Sequence, residues 1–536
     1  MKFRFFIFLI SFFFFLAGFS QQKYWVVFTD KNGTEFNPYE YFDEKAIERR
    51  IKHNFPLNHY SDWPVNDTYV SQVGQLVEAA SKTTRWFNAV AVYAFENQIA
   101  EVEKLPFVKD VQEIVTKSVL TAVGKEIDTT LTASKRDLMK RQLERLGGPD
   151  FAKNNINGKG VRIAIFDAGF PAVDVHPAFD HIRKDGRILK TYDFVANKEN
   201  AYRGSSHGTM VLSCIAGKAG DENVGMATEA EFLLARTEMG LREPFSEEEN
   251  WMAAVEWADK NGADLVNSSL AYTYNRYFRW DMNGKTAFVT KAAKLAARKG
   301  ILIMNAAGND GDNDWKIIAT PSDVDSVLTV GGISPSKDYH ISFSSFGPTA
   351  DKRMKPNVCA FGKALVAGKT GYSEAFGTSF ATPLVTGFVA CVLQAKPELT
   401  AMQLWEEIQK SGDLYPYFDY AHGHGVPSAS YFLEGKKDAE PTFDFNKEKF
   451  SLKVVVKDEF FDEEISFDDL KDAIMDAMPS KDDYLFYHIE NARGYLDYYY
   501  VVKVEQKEVL DLPLENYEKG KKIRVHYMGY TDEFEF

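Results

Sequence analysis

Apolar and polar positions change rhythm along this chain. Over residues 24–28, 86–95 and 108–115, β-branched and aromatic residues fall in short runs of strand character. Between and beside these runs, 43–54, 69–80 and 98–105 space their apolar residues as helices do, so residues 21–118 predict a small α+β module. Residues 116–145 then turn polar and rich in Lys, Thr and Arg, with no run fit to be a central strand. We expect a linker or exposed processing segment there, placed at 119–140. From about residue 158 the runs 161–166, 265–267, 301–305 and 327–330 are apolar without alternation, and helical stretches such as 247–261 and 286–299 separate them. That texture predicts an α/β domain over 141–434, a doubly wound and mainly parallel sheet covered on both faces. Its active site is expected in loops at the carboxyl ends of the strands. Beyond residue 434, alternation at 450–456, 498–504 and 522–527 with a helical pattern at 467–478 predicts a small β-rich C-terminal domain over 435–536.

Lys2 and Arg4 precede an apolar run at 5–19, which gives way to Ser20 and the polar pair Gln21–Gln22. This is the layout of a secretory signal, assigned to 1–20. The run is shorter than the ~20 residues a membrane span needs. The chain is therefore expected to be exported, to the medium, periplasm or cell surface, with no membrane span in the mature protein.

Charge narrows the choice of partners. With 63 basic against 77 acidic residues the net charge is −14, which argues against nucleic acid as a partner. Residues 437–536 alone hold 25 acidic against 14 basic side chains, so most of the excess sits in the C-terminal domain. Cys214, Cys359 and Cys391 cannot build a disulfide framework or a four-thiolate zinc site.

Four short blocks carry candidate chemistry. Asp167 ends the apolar run 161–166, so its carboxylate projects from a strand terminus. His207, in Ser205-Ser206-His207-Gly208-Thr209, opens an apolar helical stretch. Asn309, in Ala306-Ala307-Gly308-Asn309, follows the buried run 301–305. Ser379, in Gly377-Thr378-Ser379-Phe380-Ala381, stands at the start of another apolar helix. Unpaired backbone N–H groups and the positive end of a helix dipole stabilise an oxyanion at such a position. Each block alone reads as a turn former or a cap. The order Asp, His, Asn, Ser, each at an element boundary on one expected face, makes coincidence a poor account.

On these blocks the region from about 142 to 429 resembles the catalytic domain of subtilisin-like serine proteases (the subtilase family, S8-type), in which the triad runs Asp…His…Ser. Asn267-Ser268-Ser269-Leu270-Ala271, Phe343-Ser344-Ser345-Phe346-Gly347-Pro348 and Lys355-Pro356-Asn357 resemble the family's groove-flanking segments. Residues 23–115 resemble its N-terminal propeptide, a folding aid and temporary intramolecular inhibitor, and the whole looks most like exported precursors of Bacteroidetes-type bacteria. The resemblance implies a secreted serine endopeptidase with catalytic Asp167, His207 and Ser379. It implies an oxyanion hole of Asn309 and the Ser379 N–H, and extended peptide or protein substrates lying against Ser269, Leu270, Ala271, Ala306, Ala307 and Gly308. Ala271, Ala168, Met210 and Phe380 depart from the family's common residues and bear on specificity, since none removes a catalytic atom. A catalytically silent binding protein and a peptide ligase are the rival readings.

No organic cofactor is required and no metal site is assigned. The run Asp310-Gly311-Asp312-Asn313-Asp314 opens like a calcium loop, but lacks Gly at its sixth position and has Pro321 at its twelfth. Calcium is compatible with the resemblance, without ligands that the sequence names. His422 and His424 have no third ligand nearby and read as part of a turn.

Overall fold

A computed structural model describes residues 21–114, 131–239, 246–273, 277–435, 439–461 and 483–536. The chain divides into two compact units, Met1–Glu35 with Trp63–Thr116, and Phe36–Asp62 with Lys117–Phe536.

In the smaller unit, strands β1 (Gln22–Phe28), β2 (Ala79–Thr84), β3 (Ala89–Ala94) and β4 (Val108–Ile114) form an antiparallel sheet in the order β2-β3-β1-β4. Val26, Phe28, Val90, Val92 and Ala94 pack with Val73 of α3 (Asp67–Gly74) and Val102 of α4 (Glu96–Val102) into its core. The helix expected over 69–80 is shorter, because residues 79–84 pair with β3 instead.

The larger unit begins with α1 (Pro38–Tyr41) and α2 (Glu44–Lys52), which lie in sequence inside the expected N-terminal module. Next come α5 (Ala133–Glu144) and α6 (Gly148–Lys153). Helix α5 corrects the reading of 119–140 as linker, of which residues 119–130 lie outside the described residues. Lys135, Leu138, Met139 and Gln142 are its buried positions, and Gln142 Nε2 donates to Val224 O and Leu365 O at 2.9 and 3.2 Å. Two of these four residues are polar, which hid the helical stripe from a reading by hydrophobicity.

Eight strands make the central sheet: β5 (Arg162–Asp167), β6 (Ile188–Asp193), β7 (Lys198–Glu199), β10 (Glu231–Arg236), β11 (Leu265–Ser268), β12 (Leu302–Ala306), β13 (Val327–Ile333) and β14 (Val358–Phe361). The order is β14-β13-β12-β11-β5-β10-β6-β7, parallel except for the last pair. Small hairpins β8/β9 (Lys218–Ala219, Glu222–Asn223) and β15/β16 (Lys363–Ala367, Tyr372–Phe376) lie beside it, with α7 (Asp180–Lys184) in the β5–β6 connection. Alternate residues of each strand face opposite layers. Ile163 and Ile165 join the core of α8 (His207–Ala216) and α11 (Thr378–Ala395), while Phe166 meets Trp251 of α9 (Ser246–Lys260) edge to face at 5.7 Å. Helices α10 (Phe288–Arg298), α12 (Ala401–Lys410) and α13 (Ala429–Leu433) complete the layers. This is the expected doubly wound fold. Strand order reverses at β5, flanked by β10 and β11, so the switch-point crevice opens beside Asp167.

Helix α11 is the one described helix long and apolar enough to cross a membrane, and 83% of that window is buried in the core. Cys214, Cys359 and Cys391 are buried free thiols. Beyond α13, strands β17 (Phe443–Lys447), β18 (Ser451–Val456) and β21 (Glu508–Pro513) form one antiparallel sheet. A second is formed by β19 (Tyr484–Glu490), β20 (Leu496–Lys503), β22 (Lys522–Tyr527) and β23 (Tyr530–Glu535), and the two share a core of Leu452, Val454, Ile489, Ile523 and Val525. The helix expected at 467–478 lies outside the described residues.

Candidate active site

Asp167 is the last residue of β5 and fully buried. Its Oδ1 accepts from Ala168 N at 2.7 Å, and its carboxylate faces His207 Nδ1 at 2.8 Å (Oδ1) and 3.0 Å (Oδ2). His207 is the first residue of α8, with its backbone N–H bonded to Ser205 Oγ at 3.3 Å and its side chain 33% exposed. Gly208 permits this approach, since a Cβ there would lie 2.9 Å from Asp167 Cβ and 2.5 Å from Gly169 O. Burial pulls the His207 pKa down, but the adjacent Asp167 charge and its hydrogen bond outweigh that and raise it above its ordinary value. With Nδ1 carrying the proton toward Asp167, Nε2 is left as the basic nitrogen.

Ser379 is the second residue of α11, after Gly377 at φ +140°. Its Oγ donates to Ser269 O at 3.4 Å, and Ser269 Oγ donates to Ser379 O at 3.2 Å. The hydroxyl therefore rests on the segment expected to flank the groove, and no His207–Ser379 hydrogen bond is formed among the described residues. The ring of the neighbouring Phe380 lies 5.4 Å from that of His207, so the start of α11 packs beside the imidazole. Bonds of this kind are often long in the absence of substrate and tighten when it binds.

Asn309 follows β12 and is exposed. Its Oδ1 accepts from Thr378 N at 2.8 Å and Thr378 Oγ1 at 3.0 Å, which leaves Nδ2 as the donor beside the start of α11. Ser345 holds this turn from behind, with Ser345 N donating to Gly308 O and Asp310 N to Ser345 Oγ. Ser269 and Leu270 are nearly buried and Ala271 half-buried, and Ala306, Ala307 and Gly308 are buried. Asn305 Nδ2 links the two by donating to Leu270 O at 2.8 Å and Ala306 O at 3.0 Å.

Sequence reading missed a brace behind Asp167. Arg236, at the end of β10, donates from Nε to Ala168 O at 3.1 Å and from Nη1 to Asp193 Oδ2 at 2.9 Å, with Asp193 fully buried at the end of β6. The available signal was a charge ending the apolar run 232–235, at the same edge of the sheet as Asp167. His422 and His424 lie in a turn: the His422 ring pairs with Asp419 and accepts from His340 N, and His424 Nδ1 bonds Tyr417 O. No group of three or more His, Cys, Asp or Glu side chains placed to hold a metal is found among the described residues.

Comparison with known proteins places the chain in a family. Residues 158–428 match the family described as "Subtilase family", and residues 23–129 match the "Peptidase S8 propeptide domain, Bacteroidota". Subtilisin NAT of Bacillus subtilis subsp. natto is 28% identical over 361 residues, covering 67% of this chain and 83% of that protein. A subtilisin of Bacillus pumilus is 29% identical over 287 residues, covering 53% of this chain and 94% of its own. The crystal structure of a cold adapted subtilisin-like serine proteinase aligns with a TM-score of 0.39 and 26% identity, over 51% of this chain and 88% of that one. A catalytic-family match across half of the chain, preceded by a match to that family's propeptide, makes this protein a member of the subtilase family: a subtilisin-like serine peptidase with an N-terminal propeptide domain.

Proposed function

We propose that the protein is an exported serine endopeptidase that cleaves peptide bonds through an acyl-enzyme, with Asp167, His207 and Ser379 as its triad. The observation that carries this reading is the buried Asp167 carboxylate held against His207 Nδ1 in the cleft that also receives the start of α11. Ser379 Oγ leaves Ser269 O as substrate enters, gives its proton to His207 Nε2 and attacks the carbonyl carbon. The oxyanion that forms is met by Asn309 Nδ2 and the Ser379 N–H. His207 then protonates the leaving amine, and water attacks the acyl-enzyme by the reverse path, restoring the serine.

Substrate lies extended beside Ser269–Ala271, so main-chain hydrogen bonds supply affinity and side-chain pockets supply selectivity. The first pocket runs between Ser269–Ala271 and Ala306–Gly308. Its floor is the segment 318–320, because Ala319 N donates to Ala307 O at 3.3 Å and Thr320 pairs with Tyr272. Walls and floor carry no charged side chain, which favours apolar side chains. Processing of the precursor falls between residues 114 and 131, since β4 and α5 flank that stretch. The leader at 1–20 and the Bacteroidota-type propeptide support export, and the propeptide supports autoinhibition before processing.

A fluorophosphonate probe tests the assignment. Covalent labelling mapped by mass spectrometry to Ser379, and lost in His207→Ala, is the expected result. A folded protein that takes no label, or takes it elsewhere, overturns it.

A further inference from the structure

The amino-terminal edge of the central sheet carries a second constellation of charges. Helix α2 ends there with Arg49 and Arg50, 3% and 0% exposed. Arg50 donates to Asp62 Oδ2 at 2.8 Å and Oδ1 at 3.2 Å, and to Asp259 Oδ2 at 2.5 Å. Lys299 Nζ reaches Asp62 Oδ1 at 2.5 Å, and Arg49 pairs with Asp259 Oδ1. Asp62, Asp259 and Lys299 are each no more than 1% exposed. Phe42 and Phe55 cover the group, with the Arg50 guanidinium 3.9 Å and 5.2 Å from their ring centroids and Lys299 Nζ 4.8 Å from that of Phe55.

Three cations meet two carboxylates here, and the balance comes from backbone. Arg49 also donates to Ala263 O at 2.5 Å, Lys299 O at 3.2 Å and Asp259 O at 3.3 Å. The Asp259 and Lys299 carbonyls lie at the C-terminal ends of α9 and α10, each of which carries about half a negative charge, and that of Ala263 lies between α9 and β11. The segment thus supplies charge that two helices and two buried side chains of the α/β core require. Around it, Asp43 N donates to Lys260 O at 2.9 Å, Lys45 Nζ to Gly160 O at 2.7 Å, Arg162 Nη1 to Asp43 Oδ1 at 2.9 Å, and Ala401 N to His53 Nε2 at 2.8 Å.

Residues 36–62 lie within the stretch that matches the propeptide domain, yet they are built into the catalytic unit. We propose that they are a permanent anchor: once the chain is cut between residues 114 and 131, the N-terminal fragment stays on the sheet's amino-terminal edge as a noncovalent subunit of the enzyme. The proposal rests on the processing position given above. The anchor contacts residues at or before the starts of β5, β11 and β12, whereas Asp167 ends β5 and Ser269 and Asn309 follow β11 and β12. Strands of this length separate the two edges by roughly 15 Å, so the anchor does not cover Ser379.

The test uses the full chain carrying Ser379→Ala and a recognition sequence for a foreign endopeptidase within 117–130, which makes it independent of the protein's own activity. After cutting, gel filtration at submicromolar concentration is expected to show both fragments co-eluting in 0.15 M and 1 M salt, because buried pairs are weakly screened, and separating in denaturant. The same cut chain with Arg49→Ala and Arg50→Ala is expected to release the N-terminal fragment at least about 100-fold faster. Elution of the native-sequence fragment alone in native buffer overturns the proposal, as does equal retention by the double variant. Should the uncut double variant lack native near-UV circular dichroism, Asp62→Asn replaces it. About tenfold faster release is then expected, and retention equal to the native sequence again overturns the proposal.

Discussion

The two edges of the central sheet use buried charge in opposite ways. At the carboxyl edge the Asp167 carboxylate is fully buried while its partner His207 remains one-third exposed with one ring nitrogen directed away from the pair. At the amino edge five charged side chains are almost wholly enclosed, engaged by one another, by helix ends and by aromatic faces. An arrangement that keeps one group incompletely committed can exchange protons, whereas one that commits every group can only hold. Both sit on the same short strands, so the scaffold is shared and the degree of satisfaction separates chemistry from anchorage.

Breaking the carboxyl edge should cost turnover without stability. Ser379→Ala should lower kcat by about 10⁶-fold, the figure established for the catalytic serine of subtilisin, in a peptide-anilide assay with an unchanged melting temperature. Asp167→Asn should lower kcat by about 10⁴-fold through the wrong imidazole tautomer. Breaking the amino edge should do the reverse. Arg50→Ala leaves Asp62 and Asp259 short of a counter-ion and should cost about 3–5 kcal/mol in denaturant unfolding, with kcat of the folded fraction unaltered. Asn309→Ala should lower kcat by about 10²–10³-fold with KM nearly unchanged, again as known for subtilisin's oxyanion asparagine. The smallest effect is a shift in pH. Because Asp167 raises the His207 pKa and the base must be neutral, kcat/KM should climb with pH through a midpoint above 6.5. In Asp167→Asn the residual activity should climb at lower pH, and an unmoved midpoint would count against this pairing.

How much of this was legible depends on the kind of signal. Asp167, His207, Asn309 and Ser379 each lie where an apolar run meets small or polar residues, so their place at element ends could be read directly. Strands 265–268, 302–306 and 327–333 announce themselves because burial on both faces demands unbroken apolar runs. Helix α5 did not, since Lys135 and Gln142 occupy its buried face and find partners more than 80 residues away. The 36–62 segment misled for the same reason: Arg49 and Arg50 in a charged helix look solvated until Asp259 and Lys299 close over them. Arg236 and Asp193 gave no local hint of their bond, being 43 residues apart.

The order of the blocks and the periodicity of the strands specified the family and the sheet and nominated the groups proposed to react, because these follow from local pattern and short spacing. Tertiary structure alone decided that Ser379 Oγ rests on Ser269, that Ala319 N bonds Ala307 O, and that residues 36–62 belong with the catalytic unit. Those outcomes depend on which distant groups become neighbours when water is excluded, and a charge or hydroxyl bears no mark in the sequence of the partner it will meet.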